Sequence, residues 1–180
     1  MYPSNPVIQY SSGGQENRKT GRQEHDYYLT VARVTGAKGL VETAAVFGAM
    51  KKKLIIVGEL VGGNKIRTQI EQAGKGYVEL VGRVSDTELT QVYSQARAFV
   101  AMASNEDFGM TVVESMQCGT PVLALNSGGY RESVKQGVTG VIIEGIGQMR
   151  DGILQIDKIK WDREKIKKWG ETFGRSRFEK

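Results

Sequence analysis

The stretch AFVAMASNEDFGMTVVESMQCGTPVLAL, residues 98–125, decides the fold of this chain. It begins with a short apolar run that ends in polar residues, which is typical of a buried parallel strand. Gly109 then opens a segment of helical periodicity that ends at a Gly-Thr-Pro turn, and the apolar run PVLAL completes the stretch. A strand, a helix and a second strand in this order predict one βαβ unit of a parallel sheet.

The same alternation continues on both sides of this stretch. Short, continuous apolar runs predict six buried strands, at residues 27–32, 53–58, 77–82, 98–103, 121–125 and 139–144. Helix-length segments lie between them, at residues 40–51, 64–74, 86–96, 110–117 and 130–136. Strands that alternate with helices indicate an α/β fold with a Rossmann-like, doubly wound parallel sheet of about six strands.

The two ends of the chain differ from this regular part, residues 27–156, which we expect to form one Rossmann-like domain. Residues 1–26 are polar with little apolar periodicity, so we expect a flexible N-terminal segment. Residues 157–180 are basic and helical in character, and we expect this C-terminal tail to pack on the same domain. Its candidate apolar anchors are Ile159, Trp161, Ile166, Trp169 and Phe173.

Length and composition exclude several classes of protein. A chain of 180 residues can fill one domain, and its 39% hydrophobic and 25% charged residues are ordinary for a globular protein. The single cysteine, Cys118, rules out a disulfide framework, suits a reducing compartment and is interpreted as a packed residue. With His25 as the only histidine, neither a histidine-based metal site nor a Ser-His triad is expected. No signal peptide or membrane-spanning run is visible, and the net charge of +5 comes without the basic, aromatic-rich face of a nucleic-acid binder.

Two cations follow the first predicted strand. Arg33 and Lys38 lie five residues apart in the loop that leads to the first helix. At the carboxyl edge of a parallel sheet they could clamp a diphosphate, because arginine offers a planar fork of donors and lysine a mobile point charge. The alternative, from composition alone, is two solvated loop cations.

Two carboxylates flank the start of the helix predicted at residues 110–117. Glu106 would lie in the loop at the carboxyl end of a strand, and Glu114 within the first turns of the helix. Ligands of open α/β sheets bind at this edge, and a helix N-terminus offers its N–H groups to an anion. Three other glutamate pairs in the chain share the spacing of eight residues, so the spacing alone carries little weight. The alternative for Glu106 is a carboxylate that caps the helix.

The segment EDFGMTVVESMQCGTPVLALNSGGYRESV, residues 106–134, resembles the donor-binding signature of the retaining glycosyltransferases of family 4. Enzymes of that family have the two-domain GT-B fold, and the EDFG wording is most similar to that of mannosyltransferases of polysaccharide biosynthesis. The resemblance extends from about residue 27 to residue 180 and matches the C-terminal half of a family member. It implies that a missing N-terminal Rossmann-like domain completes the enzyme.

The resemblance also implies roles for individual residues. Arg33 and Lys38 would bind the diphosphate and stabilise its departure as negative charge grows on it. Glu106 would accept hydrogen bonds from the donor sugar, and Glu114 from both hydroxyls of the ribose. The main chain would contact the donor sugar at Phe108, Gly109 and Met110 and the nucleotide base at Val84 and Ser85.

Gly128 and Gly129 follow the fifth predicted strand. They resemble a Gly-Gly loop that faces the active cleft in the family, and the alternative is a plain turn.

The implied function is that of a donor-binding domain. The full enzyme would transfer a hexose, with mannose as first choice, from a donor such as GDP-mannose or UDP-glucose to an alcohol with retained configuration. No cofactor or metal is expected, because the two cations would replace a metal and no Asp-x-Asp pair offers ligands. The isolated chain is expected to be inactive. The full enzyme is expected in the cytoplasm, with peripheral association at the inner face of the membrane as an open alternative.

Two other functions stay open. One is a non-catalytic Rossmann-like module that binds a nucleotide or phosphate without transfer. The other is a fragment of a GT-B sugar-nucleotide epimerase, against which the EDFG wording and the scarcity of histidine count. Dinucleotide-binding and P-loop proteins are not favoured, because neither G-x-G-x-x-G nor G-x-x-x-x-G-K-[ST] occurs in the chain.

Overall fold

The computed structural model describes residues 26–36, 39–104 and 108–173 of the chain. Six strands are present in this part, β1 Tyr27–Val31, β2 Lys53–Val57, β3 Val78–Gly82, β4 Ala98–Ala101, β5 Val122–Leu125 and β6 Gly140–Ile143. The helices are α1 Leu40–Met50, α2 Gly63–Gly74, α3 Asp86–Gln95, α4 Met110–Gln117, α5 Tyr130–Ser133, α6 Met149–Lys158 and α7 Arg163–Glu171. A short 3₁₀ turn, Ile146–Gln148, precedes α6.

All six strands lie in one parallel sheet with the order β3-β2-β1-β4-β5-β6. The first half of the chain builds the sheet outward from β1 in one direction, and the second half starts at β4 on the other side of β1. In the register of the sheet, Leu29 of β1 lies opposite Ile55 of β2 and Phe99 of β4. The strand order reverses between β1 and β4, so the connections that follow these two neighbouring strands run in opposite directions and leave a crevice between their loops.

Apolar side chains cover both faces of the sheet. On one face Leu29 and Phe99 pack with Met116 of α4 and Ile166 of α7. On the other face Tyr28 packs with Phe47 of α1, and Ile153 of α6 joins the same cluster. Because both faces are buried, the strands are continuously apolar and do not alternate with polar residues. The predicted α/β fold with a doubly wound sheet of six strands is confirmed.

The bounds of the helices follow local chemistry. The Ser85 hydroxyl accepts a hydrogen bond from the Glu88 N–H at 3.3 Å, and the Ser85 N–H donates to Glu88 Oε2 at 2.8 Å, so α3 begins with a capping box. The predicted bounds of α4 are confirmed. Helix α5 is shorter than predicted, since it ends at Ser133 and not at residue 136. Its continuation is lost because the Lys135 N–H donates to Thr139 Oγ1 and the Gln136 side chain accepts from the N–H of Ile142 in β6.

The C-terminal part holds one helix more than the sequence predicts. Helix α6 was not predicted, and the expected start of the tail, Asp157, lies within its last turns. Its buried residues Met149, Ile153 and Ile156 have helical spacing, but they follow the glycine-rich run GIG, which hides the pattern. The chain leaves the helix at Ile159, and Asp162 caps α7 by accepting from the Lys165 N–H at 3.0 Å. Helix α7 then packs against α4.

Candidate functional site

Three loops meet where the carboxyl ends of β1, β4 and β5 come together. The end of the β1–α1 loop lies close to β4, since a Cβ atom on Gly39 would be 3.2 Å from the Met102 carbonyl oxygen. The loop after β5 touches the loop after β4, because the Ser127 hydroxyl donates to the Ser104 carbonyl oxygen. These contacts hold the three loops around one crevice, at the switch point of the sheet.

A small cavity of about 30 Å³ forms the floor of this crevice. Its walls come from the ends of β1 and β4, the start of α1, and two side chains from α4 and α5; they include Thr30, Ala32, Thr43, Ala103, Thr111 and Tyr130. That volume has room for no more than a few water molecules, so a larger ligand would lie above this floor, among the loops.

Gly109 fixes how α4 begins. It has φ 73° and ψ 51°, a left-handed main-chain conformation that is strained for residues with a Cβ atom. A Cβ atom at this position would also be only 2.6 Å from Cε1 of the Tyr130 ring. Glycine therefore allows the ring of Tyr130 to pack against the main chain at the start of α4. Met110, the first residue of α4, is 54% exposed, and the N–H groups of Met110 and Thr111 have no partner within the helix.

Arg33 lies two residues after β1 and is exposed. The next residue anchors its loop, because the Val34 N–H donates to the Glu59 carbonyl oxygen at 2.8 Å and Val34 pairs with Leu60. Within the described ranges, Arg33 forms no ion pair. The main chain is thus held while the guanidinium is available to a ligand. The partner predicted for it, Lys38, lies outside the described residues, and so does Glu106.

Glu114 lies in the second turn of α4 and is half-buried. The Tyr93 hydroxyl of α3 donates to its Oε2 at 2.9 Å. Burial, and then the negative charge of Glu114, raise the pKa of Tyr93, so the tyrosine keeps its proton and remains a donor. In the part of the chain that the structure describes, Oε1 of Glu114 has no hydrogen-bond partner. One carboxylate oxygen is therefore held and the other can accept from a ligand hydroxyl.

The segment predicted to contact a base is only partly available. The capping box of α3 uses both the N–H and the hydroxyl of Ser85, and the Ser85 carbonyl oxygen accepts from the Leu89 N–H at 2.8 Å. A contact through the Ser85 N–H would require this box to open. Val84 is half-buried beside it and packs against the core. Of the two residues, Val84 is the better candidate for a main-chain contact with a base.

Phe108 joins the start of α4 to the C-terminal helix. Its ring lies 6.2 Å from the ring of Phe173, which in turn lies 5.1 Å from the ring of Trp169 in α7. The Trp169 indole N–H donates to the Ser133 carbonyl oxygen at 2.7 Å, and the Lys135 ammonium lies 3.3 Å above the indole. We call Phe108, Phe173 and Trp169 the aromatic column. Through it α7 supports the main chain that begins α4.

Gly128 and Gly129 form the turn that begins α5. Gly128 has φ 51° and is exposed, and Gly129 is the N-cap residue of α5. The residue before them, Ser127, makes the contact with Ser104 described above. Arg131 closes the turn, since its guanidinium donates to the Asn126 carbonyl oxygen at 2.9 Å. This loop belongs to the crevice, next to the loop that follows β4.

Two residues of the site were missed from the sequence, Tyr93 and Tyr130. Both are almost fully buried, and each was interpreted only as part of a helical segment. Nothing in their spacing connects Tyr93 with Glu114 or Tyr130 with Gly109, because both contacts join separate elements of the chain. The aromatic column leaves a weak signal, since Trp169 and Phe173 are four residues apart in an otherwise basic segment of the tail.

Cys118 follows α4 and is half-buried. Burial, and then the charge of Glu114, raise the pKa of its thiol, which keeps the sulfur protonated and unreactive. Among the described residues no group of three or more His, Cys, Asp and Glu could hold a metal ion. No helix in the same part is long and apolar enough to cross a membrane.

Comparison with known proteins identifies a family model and several relatives that match this chain. The family model described as "Glycosyl transferases group 1" matches residues 14–173. A D-inositol 3-phosphate glycosyltransferase of Geodermatophilus obscurus is 38% identical over 96 residues, which are 50% of this chain and 21% of the relative. The enzyme of that name from Paenarthrobacter aurescens is 30% identical over 135 residues, 69% of this chain and 33% of the relative. Sucrose synthase 5 of Oryza sativa subsp. japonica is 29% identical over 186 residues, 86% of this chain and 22% of the relative. The chain thus spans between about a fifth and a third of these relatives.

Solved structures show the same fold. The lipopolysaccharide outer core galactosyltransferase WaaB, in its apo form, is 21% identical with a TM-score of 0.72, over 85% of this chain and 46% of WaaB. Anabaena HepE in complex with UDP and glucose is 23% identical with a TM-score of 0.64, over 82% of this chain and 42% of HepE. In each case the similarity covers less than half of the larger protein.

Proposed function

The chain belongs to the family of glycosyl transferases group 1, and from this membership we propose that it is the donor-binding, C-terminal half of a retaining glycosyltransferase. The observation that carries the proposal is the crevice at the switch point of the sheet, whose floor is lined by Ala32, next to exposed Arg33, and by Thr111 of the first turn of α4. Glu114 lies one turn further along α4. Nucleotides bind at this position in doubly wound sheets. The donor is therefore a nucleotide diphosphate sugar.

The diphosphate would lie between Arg33 and the start of α4. The guanidinium supplies two parallel donors, and the helix start supplies the N–H groups of Met110 and Thr111 together with the positive end of the helix dipole. From the sequence, Lys38 adds a second cation. As the bond to the sugar breaks, negative charge grows on the leaving phosphate, and these groups stabilise it. The two cations take the place of a metal in this proposal.

The diphosphate joins the nucleoside to the sugar, so its position also assigns residues to these two parts of the donor. On the nucleotide side, Oε1 of Glu114 accepts from the ribose hydroxyls. The main chain at Val84 contacts the base, and Ser85 joins it only where the capping box of α3 opens. On the sugar side, the sequence assigns Glu106 to the hydroxyls, with the main chain of Phe108, Gly109 and Met110. The UDP and glucose in HepE support a nucleotide-sugar donor of this kind. From the EDFG wording we propose mannose as the sugar and GDP-mannose as the donor.

Transfer needs a second wall for the crevice. The missing N-terminal Rossmann-like domain would supply the acceptor site and close the cleft against water, and the full enzyme would act in the cytoplasm or at the inner face of a membrane. We expect no transfer from the isolated 180 residues to any alcohol acceptor, and activity once the N-terminal half is joined to them. A radiolabelled-sugar assay checks both forms. Protein-dependent, sustained transfer by the isolated chain would contradict the half-enzyme assignment.

Donor binding itself is tested on the chain as it stands. Calorimetric titration with GDP, UDP, GDP-mannose and UDP-glucose should give weak binding for at least one nucleotide. Arg33→Ala should lose about 1.5–3 kcal/mol of diphosphate affinity, roughly 10- to 150-fold, because it removes a hydrogen bond to a charged group. Arg67→Ala is the matched control, since Arg67 pairs with Glu71 on the exposed face of α2. Equal losses for both variants, or no binding by the parent at millimolar nucleotide, would contradict the proposal.

A further inference from the structure

We propose that Tyr93 is a positioning residue for the nucleotide, whose hydroxyl holds the Glu114 carboxylate so that its second oxygen can accept from the ribose. This inference rests on the donor-binding function proposed above. Tyr93 belongs to α3 and Glu114 to α4, and a hydrogen bond 2.9 Å long joins the phenol to Oε2 of the carboxylate.

Tyr93 can set the position of a carboxylate because its own position is fixed. The side chain is 2% exposed, and its ring packs against Phe99 of β4 at a centroid distance of 5.7 Å. The Tyr93 carbonyl oxygen accepts from the Thr120 hydroxyl at 2.6 Å. Arg163 of α7 donates to the carbonyl oxygen of the next residue, Ser94, at 3.0 Å. The phenol therefore has one place within the fold, set by α3, β4 and α7 together.

Helix direction brings the phenol to the level of Glu114. Long side chains of a helix point back toward its N-terminus. Tyr93 lies near the end of α3, so its ring runs back toward the carboxyl edge of the sheet, where α4 also begins. The hydroxyl donates to Glu114 in the second turn of α4, one turn from the N–H groups that are proposed to bind the diphosphate.

Holding the carboxylate lowers the cost of binding. A glutamate on a helix surface samples several rotamers, and a ligand that needs one of them must overcome that freedom. The phenol removes part of the freedom before the ligand arrives and neutralises none of the charge. Because Tyr93 keeps its proton, Oε2 is occupied at any working pH, and a ribose hydroxyl meets only Oε1.

A purely structural role for the bond makes a different prediction. If Glu114 only satisfies a buried phenol, loss of the hydroxyl weakens the fold and affects every ligand of the crevice alike. If the phenol positions Glu114 for the ribose, the loss appears only for ligands with ribose hydroxyls. Ligands that differ in these hydroxyls alone separate the two roles.

The experiment is a calorimetric titration of the 180-residue chain with GDP, with its 2′,3′-dideoxy analogue and with pyrophosphate, and the same series with UDP. Tyr93→Phe keeps the ring and removes the hydroxyl. We expect it to weaken the ribonucleotide by about 3- to 10-fold, the range for one hydrogen bond, and the other two ligands by less than about 2-fold. Glu114→Ala, which removes the acceptor, should also reduce the preference for the ribonucleotide, and adding Tyr93→Phe to it should cause no further loss, because the two residues act through one bond.

Tyr28→Phe is the matched control. Tyr28 is also 2% exposed and its hydroxyl donates to a carboxylate, that of Asp157, at 2.6 Å, but at the other edge of the sheet. We expect it to leave all three affinities unchanged. Equal losses by Tyr93→Phe for the ribonucleotide and the dideoxy analogue would overturn the role of Tyr93 and leave the donor site in place. A parent chain that binds no nucleotide would overturn the proposed function and this role with it.

Discussion

Charged side chains near the central strands are paired at the amino edge of the sheet, whereas Arg33 at the carboxyl edge is not paired with a carboxylate of the described residues. At the amino edge, Asp157 of α6 accepts hydrogen bonds from three side chains that stand at the starts of strands: Lys52 at 2.8 Å, Arg97 at 3.1 Å and the Tyr28 hydroxyl at 2.6 Å. At the carboxyl edge, Arg33 is exposed and pairs with no carboxylate of the described residues. Around the central strands the amino edge pairs its charges within the chain, whereas the carboxyl edge leaves Arg33 and the start of α4 open. The Arg83–Glu59 pair at the carboxyl edge, 3.7 Å long, lies beyond this region, after β3 and β2.

The difference separates stability from binding. A paired and partly buried carboxylate stabilises the fold, and its partners cannot turn to a ligand without breaking it. An exposed arginine contributes little to stability but can form bidentate bonds with a phosphate. Substitutions at the amino edge should therefore change unfolding and leave binding alone, and those at the carboxyl edge should mainly change binding. Gly109 is the exception, because it shapes the carboxyl edge through the main chain.

The largest effect is expected for Gly109→Ala. The new methyl group imposes a left-handed strain and overlaps the Tyr130 ring, since a Cβ atom there would be 2.6 Å from Cε1. Together these should cost about 2–4 kcal/mol of the free energy of unfolding, measured in urea, and abolish nucleotide binding.

Gly137→Ala is its control and isolates the strain. Gly137 has a similar φ of 72°, but no heavy atom lies within 4 Å of its Cβ position. We expect it to cost about 1 kcal/mol and to leave binding intact. Equal costs for the two variants would show that the Tyr130 ring moves aside without penalty.

At the amino edge, Asp157→Ala should cost about 2–3 kcal/mol of the free energy of unfolding. The carboxylate is 20% exposed and its loss leaves Lys52 and Arg97 close together without a counter-charge. Nucleotide affinity should stay within about 2-fold of the parent, because the site is at the opposite edge. Arg33→Ala is the matched change at the carboxyl edge and should alter unfolding by less than about 0.5 kcal/mol. A loss of binding on Asp157→Ala would show that the edges are coupled.

The same carboxylate gives the smallest effect, a dependence of stability on pH. Burial by itself would raise the pKa of Asp157, but the bonds from Lys52 and Tyr28 and the charge of Arg97 hold it below the ordinary value of 3.8. The folded chain therefore binds this proton less readily than the unfolded chain. The contribution of the Asp157 carboxylate to the free energy of unfolding is complete above pH 3.8, and it is lost as the pH falls through the folded-state pKa. The difference in unfolding free energy between parent and Asp157→Ala should shrink over that range. A constant difference down to pH 2.5 would contradict this origin.

The sequence by itself determined the six strands of the sheet, and it predicted a candidate site at the carboxyl ends of the strands. Buried parallel strands must be continuously apolar, so six runs such as LIIV are visible without any tertiary information. The capping box of α3 and the bounds of α4 are local as well, since Ser85 meets a residue three positions away and Gly109 stands next to the helix it opens. The resemblance around EDFG added the family. Lys38 and Glu106, both outside the described residues, remain predictions.

Only the tertiary structure decided which side chains meet at the site and at its opposite edge. Tyr93 reaches Glu114 from 21 positions away, and Tyr28 reaches Asp157 from 129. The glycine-rich residues before helix α6 weaken its local pattern in the sequence. The helix becomes clear only in the structure, where Met149 and Ile153 pack against the sheet. Periodicity indicates which face of an element is buried, but it does not indicate which other element that face contacts. The strands and most of the helices can therefore be predicted from the sequence. The hydrogen bonds between side chains of different elements cannot, because they form only when those elements pack together.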